Sequence, residues 1–215
     1  MTARGRAKEA QVADLDGRAR TARPAVVVVT SVAESGAPRA SRSLEERLMV
    51  RFPGWYRAGA RLLLGAVQPE ARIRRRFLRH AVASGWAAVQ RHDFEPMLLR
   101  YAPDVVFQAD AGLQTLGVPG SARGRKEMAL VLAEIVDVFD RFEIAPKVTV
   151  DLGDSLVVLG ANRVYVRGSS IAMETETAQL LTLERGLVTR ERDFFSWDDA
   201  LRAAGLDPAV LGLSD

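Results

Sequence analysis

The last third of the chain constrains the fold most. Residues 142–150, 156–167, 173–183 and 187–195 are four β-branched or alternating runs in succession. Gly153, Gly168-Ser169-Ser170 and Arg185-Gly186 part them at hairpin distances. Strands joined so briefly form an antiparallel meander. Val157 and Leu159 alternate with Leu156 and Val158, so both faces of that strand are apolar and a cover is expected on both. The helical patterns upstream supply cover for one face, which makes the class α+β.

Those helices can be read from their start signals and spacing. Ser43 followed by Glu46 is a capping-box signature, and Leu44, Leu48, Trp55, Tyr56 and Leu62 to Leu64 suggest two short helices broken at Pro53-Gly54. After Pro69-Glu70, residues Ile73, Phe77, Leu78, Ala81, Val82, Gly85, Trp86 and Val89 form a wide apolar stripe at helical spacing. Asp93 is the expected N-cap of a short helix holding Pro96, Leu98 and Leu99. A strand over 105–109, a glycine-rich loop over 112–124 and a helix over 125–140, buried on most sides, follow. Ser196 with Asp199 caps a last helix over 197–204, stopped by Gly205.

Composition narrows the chemistry. The chain has no cysteine and two histidines, His80 and His92, so disulfide frameworks, thiolate zinc sites and histidine-rich metal sites are not expected. No apolar run approaches the ~20 residues of a membrane helix, and neither a membrane partner nor an organic cofactor is expected. Residues 1–92 carry 18 Lys and Arg against 7 Asp and Glu, a basic excess that the rest of the chain reverses. Arg72, Arg75, Arg76 and Arg79 form a row that could bind phosphate. With no interleaved aromatic residues it reads better as the wet face of a helix, and no nucleic-acid partner is expected. The glycines of 112–124 lack the Gly-Lys-Ser/Thr ending of a phosphate loop.

Residues 1–43 contain no aromatic side chain and are rich in Ala, Arg, Ser, Gly and Pro, so they read as a disordered basic tail. The β-prone run 25–29 interrupts them. As the core of a signal peptide it would follow too long and too acidic a leader, so a cytoplasmic location is expected. Residues 44–70 form a helical extension, and 71–215 the main domain.

From about Ile73 onward the chain resembles the SnoaL-like proteins of the ketosteroid isomerase superfamily, which share the nuclear transport factor two-like fold. Five stretches in order carry the resemblance. They are Trp86-Ala87-Ala88-Val89-Gln90-Arg91-His92-Asp93-Phe94, Leu99 to Phe107, Gly124-Arg125-Lys126-Glu127, Leu183-Glu184-Arg185-Gly186-Leu187-Val188, and Phe194-Phe195 through Asp199 to Leu206. The resemblance implies a cone-shaped, curved, mostly antiparallel sheet with helices on one face around an apolar pocket. It implies a small, largely apolar, carbonyl-containing ligand, and acid/base proton transfer of cyclase, isomerase or hydrolase type. A homodimer is expected. The alternative is a non-catalytic binding or dimerisation module, since a shared fold does not fix chemistry.

Candidate site residues follow from the resemblance and from strand alternation. Asp193 stands where relatives carry a proton-transferring acid on the last strand, and a carboxyl facing an apolar pocket has its pKa raised into a useful range. It reads otherwise as a structural acid paired with an arginine. Alternation places Asp193 with Leu187, Thr189, Glu191 and Phe195. Arg163 and Tyr165 share one face of the long strand and could steady a carbonyl oxygen; Tyr165 replaces the aspartate of the epoxide hydrolase pattern. Trp86, Phe107, Gln179 and Phe195 are expected to line the pocket. The isomerase pattern is absent: Gly85 stands at its tyrosine, and Ala109 stands at its aspartate with Asp110 one step on.

Overall fold

The computed structural model describes residues 28–31, 41–115, 117–166 and 172–211. Their helices are α1 (Leu44–Arg51), α2 (Pro53–Gly65), α3 (Arg72–Gln90), α4 (Phe94–Leu98), α5 (Ala111–Thr115), α6 (Gly124–Val138) and α7 (Trp197–Ala203). Their strands are β1 (Val28–Ser31), β2 (Tyr101–Ala109), β3 (Ser121–Arg123), β4 (Phe139–Asp151), β5 (Ser155–Val166), β6 (Ala172–Glu184) and β7 (Leu187–Phe194). They form one unclosed sheet in the order β1-β4-β5-β6-β7-β2-β3. Only β2–β7 is parallel; the expected meander β4 to β7 is antiparallel throughout. The Gly168-Ser169-Ser170 turn lies outside the described residues.

Register shifts in β4–β5, β6–β7 and β2–β7 bend the sheet. At Pro146 the close approach of β5 requires a glycine, since a Cβ on Gly160 would stand 2.8 Å from the Ala145 carbonyl oxygen. The concave face receives α3 and α6, with Trp86, Val89, Met128, Val131 and Leu132 packed against Phe107, Leu156, Val158 and Leu181. The helices are not confined to that face. Helix α7 covers Val157, Leu159, Ala178, Leu180 and Phe194 on the other side with Ala200 and Leu201. Trp197 pins it there, its indole Nε1 donating to the Gly160 carbonyl at 2.9 Å. Both apolar faces of β5 are thus covered within one chain.

Several local expectations shift. The capping box holds: Glu46 N donates to Ser43 Oγ and Ser43 N to Glu46 Oε2. Asp93 makes no cap hydrogen bond; its two oxygens take the Arg42 guanidinium at 2.6 and 2.7 Å. The segment 112–124 contains α5 and β3. Helix α6 turns a solvated side outward, with Leu130 exposed. Within the basic tail, Val28–Ser31 pair antiparallel with β4, so at least those four residues belong to the sheet. Residues 1–27 and 32–40 lie outside the described residues.

The stripe of α3 holds from Phe77 to Val89 but not at its first position. Ile73 is 61 % exposed, while Arg74 is 2 % exposed. Arg74 faces inward because every donor of its guanidinium is used. Nε and Nη2 grip the two oxygens of Asp151 at 2.7 and 2.8 Å, Nη1 reaches the carbonyls of Leu64 and Val67, and Nη2 also reaches that of Gly153. This buried ion pair ties the end of α2 to the rim of the sheet. Helix α2 is held at its middle as well: Gly186, at φ +78°, lies so close that a Cβ would stand 2.4 Å from Arg61 N. The Glu46–Arg91 salt bridge and a contact between Glu45 and His80 Nε2 hold α1. Burial opposes the charge of Glu46, yet Arg91 and Ser43 hold its carboxyl below the ordinary value. The outer side of this extension is bare, with Leu44, Leu48, Phe52, Trp55 and Leu62 exposed.

Candidate functional site

Where α2 and α3 cross the concave sheet they leave a cavity of about 70 Å³. Helix α2 contributes Tyr56 and Leu64, and α3 contributes Phe77, Leu78, Ala81, Val82, Gly85 and Trp86. The sheet supplies its floor through Leu156, Val158, Leu181, Leu183 and Val188. Polar side chains enter this wall at four places: Tyr56, Arg100, Tyr101 and Gln179. A space this size is less than half the ~150 Å³ of a dry cavity that admits benzene, so it suits a small or partly inserted molecule.

Behind Gln179 stands a pair of acids on β7. Gln179 is the cross-strand partner of Asp193. Its amide Nε2 donates to Glu191 Oε1 and, at 3.3 Å, to Asp193 Oδ1. Glu191 is 1 % exposed, and its Oε2 has no hydrogen-bond partner among the described residues. Asp193 is half-buried. Burial pushes the Asp193 carboxyl well above its ordinary 3.8, the adjacent Glu191 carboxylate pushes it further, and the Gln179 amide opposes them. Burial also raises Glu191, an effect partly offset by Tyr101, Asp193 and Gln179. Burial, followed by the charges of Glu191 and Asp193, raises the Tyr101 phenol. Two carboxyls buried around one amide cannot both ionise cheaply, so burial and mutual repulsion disfavour the doubly charged pair.

A bulge brings this pair to the inner side. Leu183 pairs with Val188 but Thr182 pairs with Arg190, leaving Thr189 as the extra residue. The phase of β7 therefore slips. Val188 lines the cavity and Glu191 is buried, whereas Phe194 lies on the α7 side with Arg192 over its ring at 5.2 Å. Simple alternation, which sets Val188 against Glu191, does not hold through the bulge.

The other expected residues divide. Trp86 and Gln179 line the cavity. Phe107 is fully buried core and does not line it. Phe195 packs against Gly112, also away from it. Arg163 is half-exposed and bridges to Glu174 across the β5–β6 pair at 2.9 Å. It lies five residues along β5 from Val158, the partner of Gln179, or roughly 16 Å at ~3.3 Å per residue. Tyr165 is two residues further. Neither can serve an oxygen held near Asp193. Arg100 and Tyr101, which sequence reasoning did not single out, line the cavity in their stead, and Glu191 lies behind it. Among the described residues, no group of three or more His, Cys, Asp and Glu side chains is placed to hold a metal, and no helix is long and apolar enough to cross a membrane.

No family model and no curated protein matches the chain. Among solved structures, it is similar to an NTF2-like protein of unknown function from Burkholderia pseudomallei K96243, at TM-score 0.50 and 23 % identity over 57 % of this chain and 93 % of that one. The fold is nuclear transport factor two-like. Two other similar structures are TerC, co-crystallised with polyporic acid (TM-score 0.49, 25 % identity, 54 % and 89 % of the two chains), and a putative SnoaL-like polyketide cyclase from Shewanella putrefaciens CN-32 (TM-score 0.45, 14 % identity, 58 % and 85 %).

Within this nuclear transport factor two-like sheet, the positions weighed against the isomerase pattern have structural roles. Ala109 is the β2 partner of Asp193. Asp110, one step on, is fully engaged: Oδ1 accepts from Leu113 N at 2.8 Å and Oδ2 from Phe195 N at 3.1 Å, clamping α5 to the end of β7. Gly85 makes room, as a Cβ there would stand 3.0 Å from Met97 Sδ and 3.2 Å from Arg100 Nη1.

Proposed function

We propose that this chain binds a small, largely apolar molecule in the α2–α3 cavity and that Asp193 exchanges a proton with it. The observation that carries the reading is the Glu191–Asp193 pair, both carboxyls bound by the amide of Gln179, a residue of the cavity wall. Glu191 is closed off, so exchange runs through the half-buried Asp193, with Glu191 taking up the charge balance. A carbonyl ligand would place its oxygen toward the Arg100 guanidinium in the wall, while Asp193, as carboxylate with the pair's proton on Glu191, takes a proton from the adjacent carbon and returns it.

One observation favours a second reading, a binding module without catalysis: neither Glu191 nor Asp193 is itself part of the cavity wall. Deuterium exchange separates the two. With 2-butanone in heavy water, proton transfer predicts α-hydrogen exchange faster than in buffer and lost in Asp193→Asn. Binding of the ketone, seen as shifts in the protein NMR spectrum, without accelerated exchange would leave binding alone. A homodimer belongs to the same proposal, although β5 no longer calls for one, since α3 and α7 cover its two faces. Light scattering at micromolar concentration decides it: a doubled mass supports the dimer and a single-chain mass refutes it.

A further inference from the structure

The guanidinium of Arg100 is a buried cation to which no anion is matched among the described residues. The residue is 9 % exposed, and the side chain lines the cavity beside Tyr56, Gly85 and Tyr101. Its Nη1 donates to the Ala81 carbonyl and its Nη2 to Ser84 Oγ at 2.8 Å, while Nε has no partner among the described residues. Both acceptors are neutral. Arg74 on α3, buried more deeply at 2 % exposed, shows the complete arrangement, with a carboxylate and three carbonyls taking all its donors. A charge removed from water without a counter-charge is unfavourable unless something else compensates it.

The surroundings favour an outside anion. The absence of a side chain at Gly85 leaves the guanidinium room against α3. Tyr56 and Tyr101 line the same wall, and most of the remaining lining is apolar. The buried acids Glu191 and Asp193 are outside that wall and are held by Gln179. We infer that Arg100 is an anion anchor, and that the ligand of this cavity is a small apolar body bearing a negatively charged oxygen, such as a carboxylate. The inference rests on the reading of the cavity as a ligand site and narrows it to acidic ligands. It also gives the otherwise apolar cavity an orientation, with the charged end at Arg100 and the hydrocarbon end along Leu78, Val82 and Leu181.

Butyrate and its neutral isostere butyramide test this by NMR-detected titration. A charge-assisted hydrogen bond distinguishes them by about tenfold or more in Kd, in favour of butyrate. Arg100→Lys keeps the cation and should keep the preference; Arg100→Gln should bind the two alike. If both probes bind wild-type protein equally, or if Arg100→Gln retains the preference, the anchor is refuted while the cavity remains a ligand site. If neither probe binds, the ligand-site reading falls and the anchor with it. Should Arg100→Gln fail to fold, the wild-type comparison and the lysine variant still decide.

Discussion

Replacing Asp151 with asparagine should be among the most damaging single changes in this chain that leave its shape intact. Asp151 and Arg74 are each 2 % exposed. The substitution keeps the size of the side chain but removes the charge that holds the guanidinium at 2.7 and 2.8 Å. Three backbone carbonyls still accept from Arg74, but they are neutral and cannot balance a buried cation. Breaking a buried pair from one side costs about 3–5 kcal/mol, against a total domain stability of about 5–15 kcal/mol. Urea unfolding with a slope of about 2 kcal/mol/M would then show the midpoint falling by about 2 M. Because Arg74 also holds Leu64 and Val67, limited proteolysis should cut the α2–α3 connection faster in the variant. The double variant Arg74→Met/Asp151→Leu removes both charges and should recover much of the loss. A loss below about 1 kcal/mol in Asp151→Asn, or a double variant as unstable as the single one, would refute the account of this pair as a dry, coupled tie.

Three further outcomes follow from the same geometry. Gly186→Ala should destabilise by about 1–3 kcal/mol in urea melts, since its φ is +78° and its Cβ would meet the α2 backbone; a neutral effect would mean that α2 does not press on the turn. Trp197→Phe should lose about 0.5–1.5 kcal/mol through the bond to the Gly160 carbonyl, and an unchanged melting temperature would contradict that anchor. Asp193 and Glu191 both have raised carboxyls, so their charged forms are penalised on folding. That penalty is absent below the unfolded values of 3.8 and 4.5 and grows as pH rises toward the folded ones, so stability falls through that window. Asp193→Asn should flatten that fall and be at least as stable as wild type near pH 7; a clear loss there would mark Asp193 as a salt-bridged structural acid.

Much of this architecture could be read in the sequence because it rests on local signals. Period-two runs separated by glycine turns set the β4–β7 meander, and Ser43/Glu46 and Ser196/Asp199 set two helix starts. Asp193 was legible as an acid on the last strand. Its partner Glu191 was visible two residues earlier, but the amide that binds both carboxyls comes from Gln179 on the neighbouring strand. The bulge at Thr189 carries no local signature, so alternation predicted the wrong companions for Val188. Arg74 sits in phase with Leu78 and Ala81, and a basic residue in an apolar stripe is a signal of a buried ion pair. Its carboxylate, 77 residues away, could not be named without the fold. Arg163 failed for the same reason in reverse: alternation gives the face of a strand and not the distance along it to the cavity.

The most direct test of the central claim is the titration of the Asp193 carboxyl itself. Carbon-13 NMR of the protein labelled at its aspartate and glutamate carboxyls, with Asp193→Asn to assign the signal, follows it across the pH range. A coupled pair of carboxyls behind the cavity wall predicts that Asp193 titrates above its ordinary 3.8 and that its curve is linked to that of Glu191. An Asp193 signal titrating at or below 3.8, independently of Glu191, would contradict it.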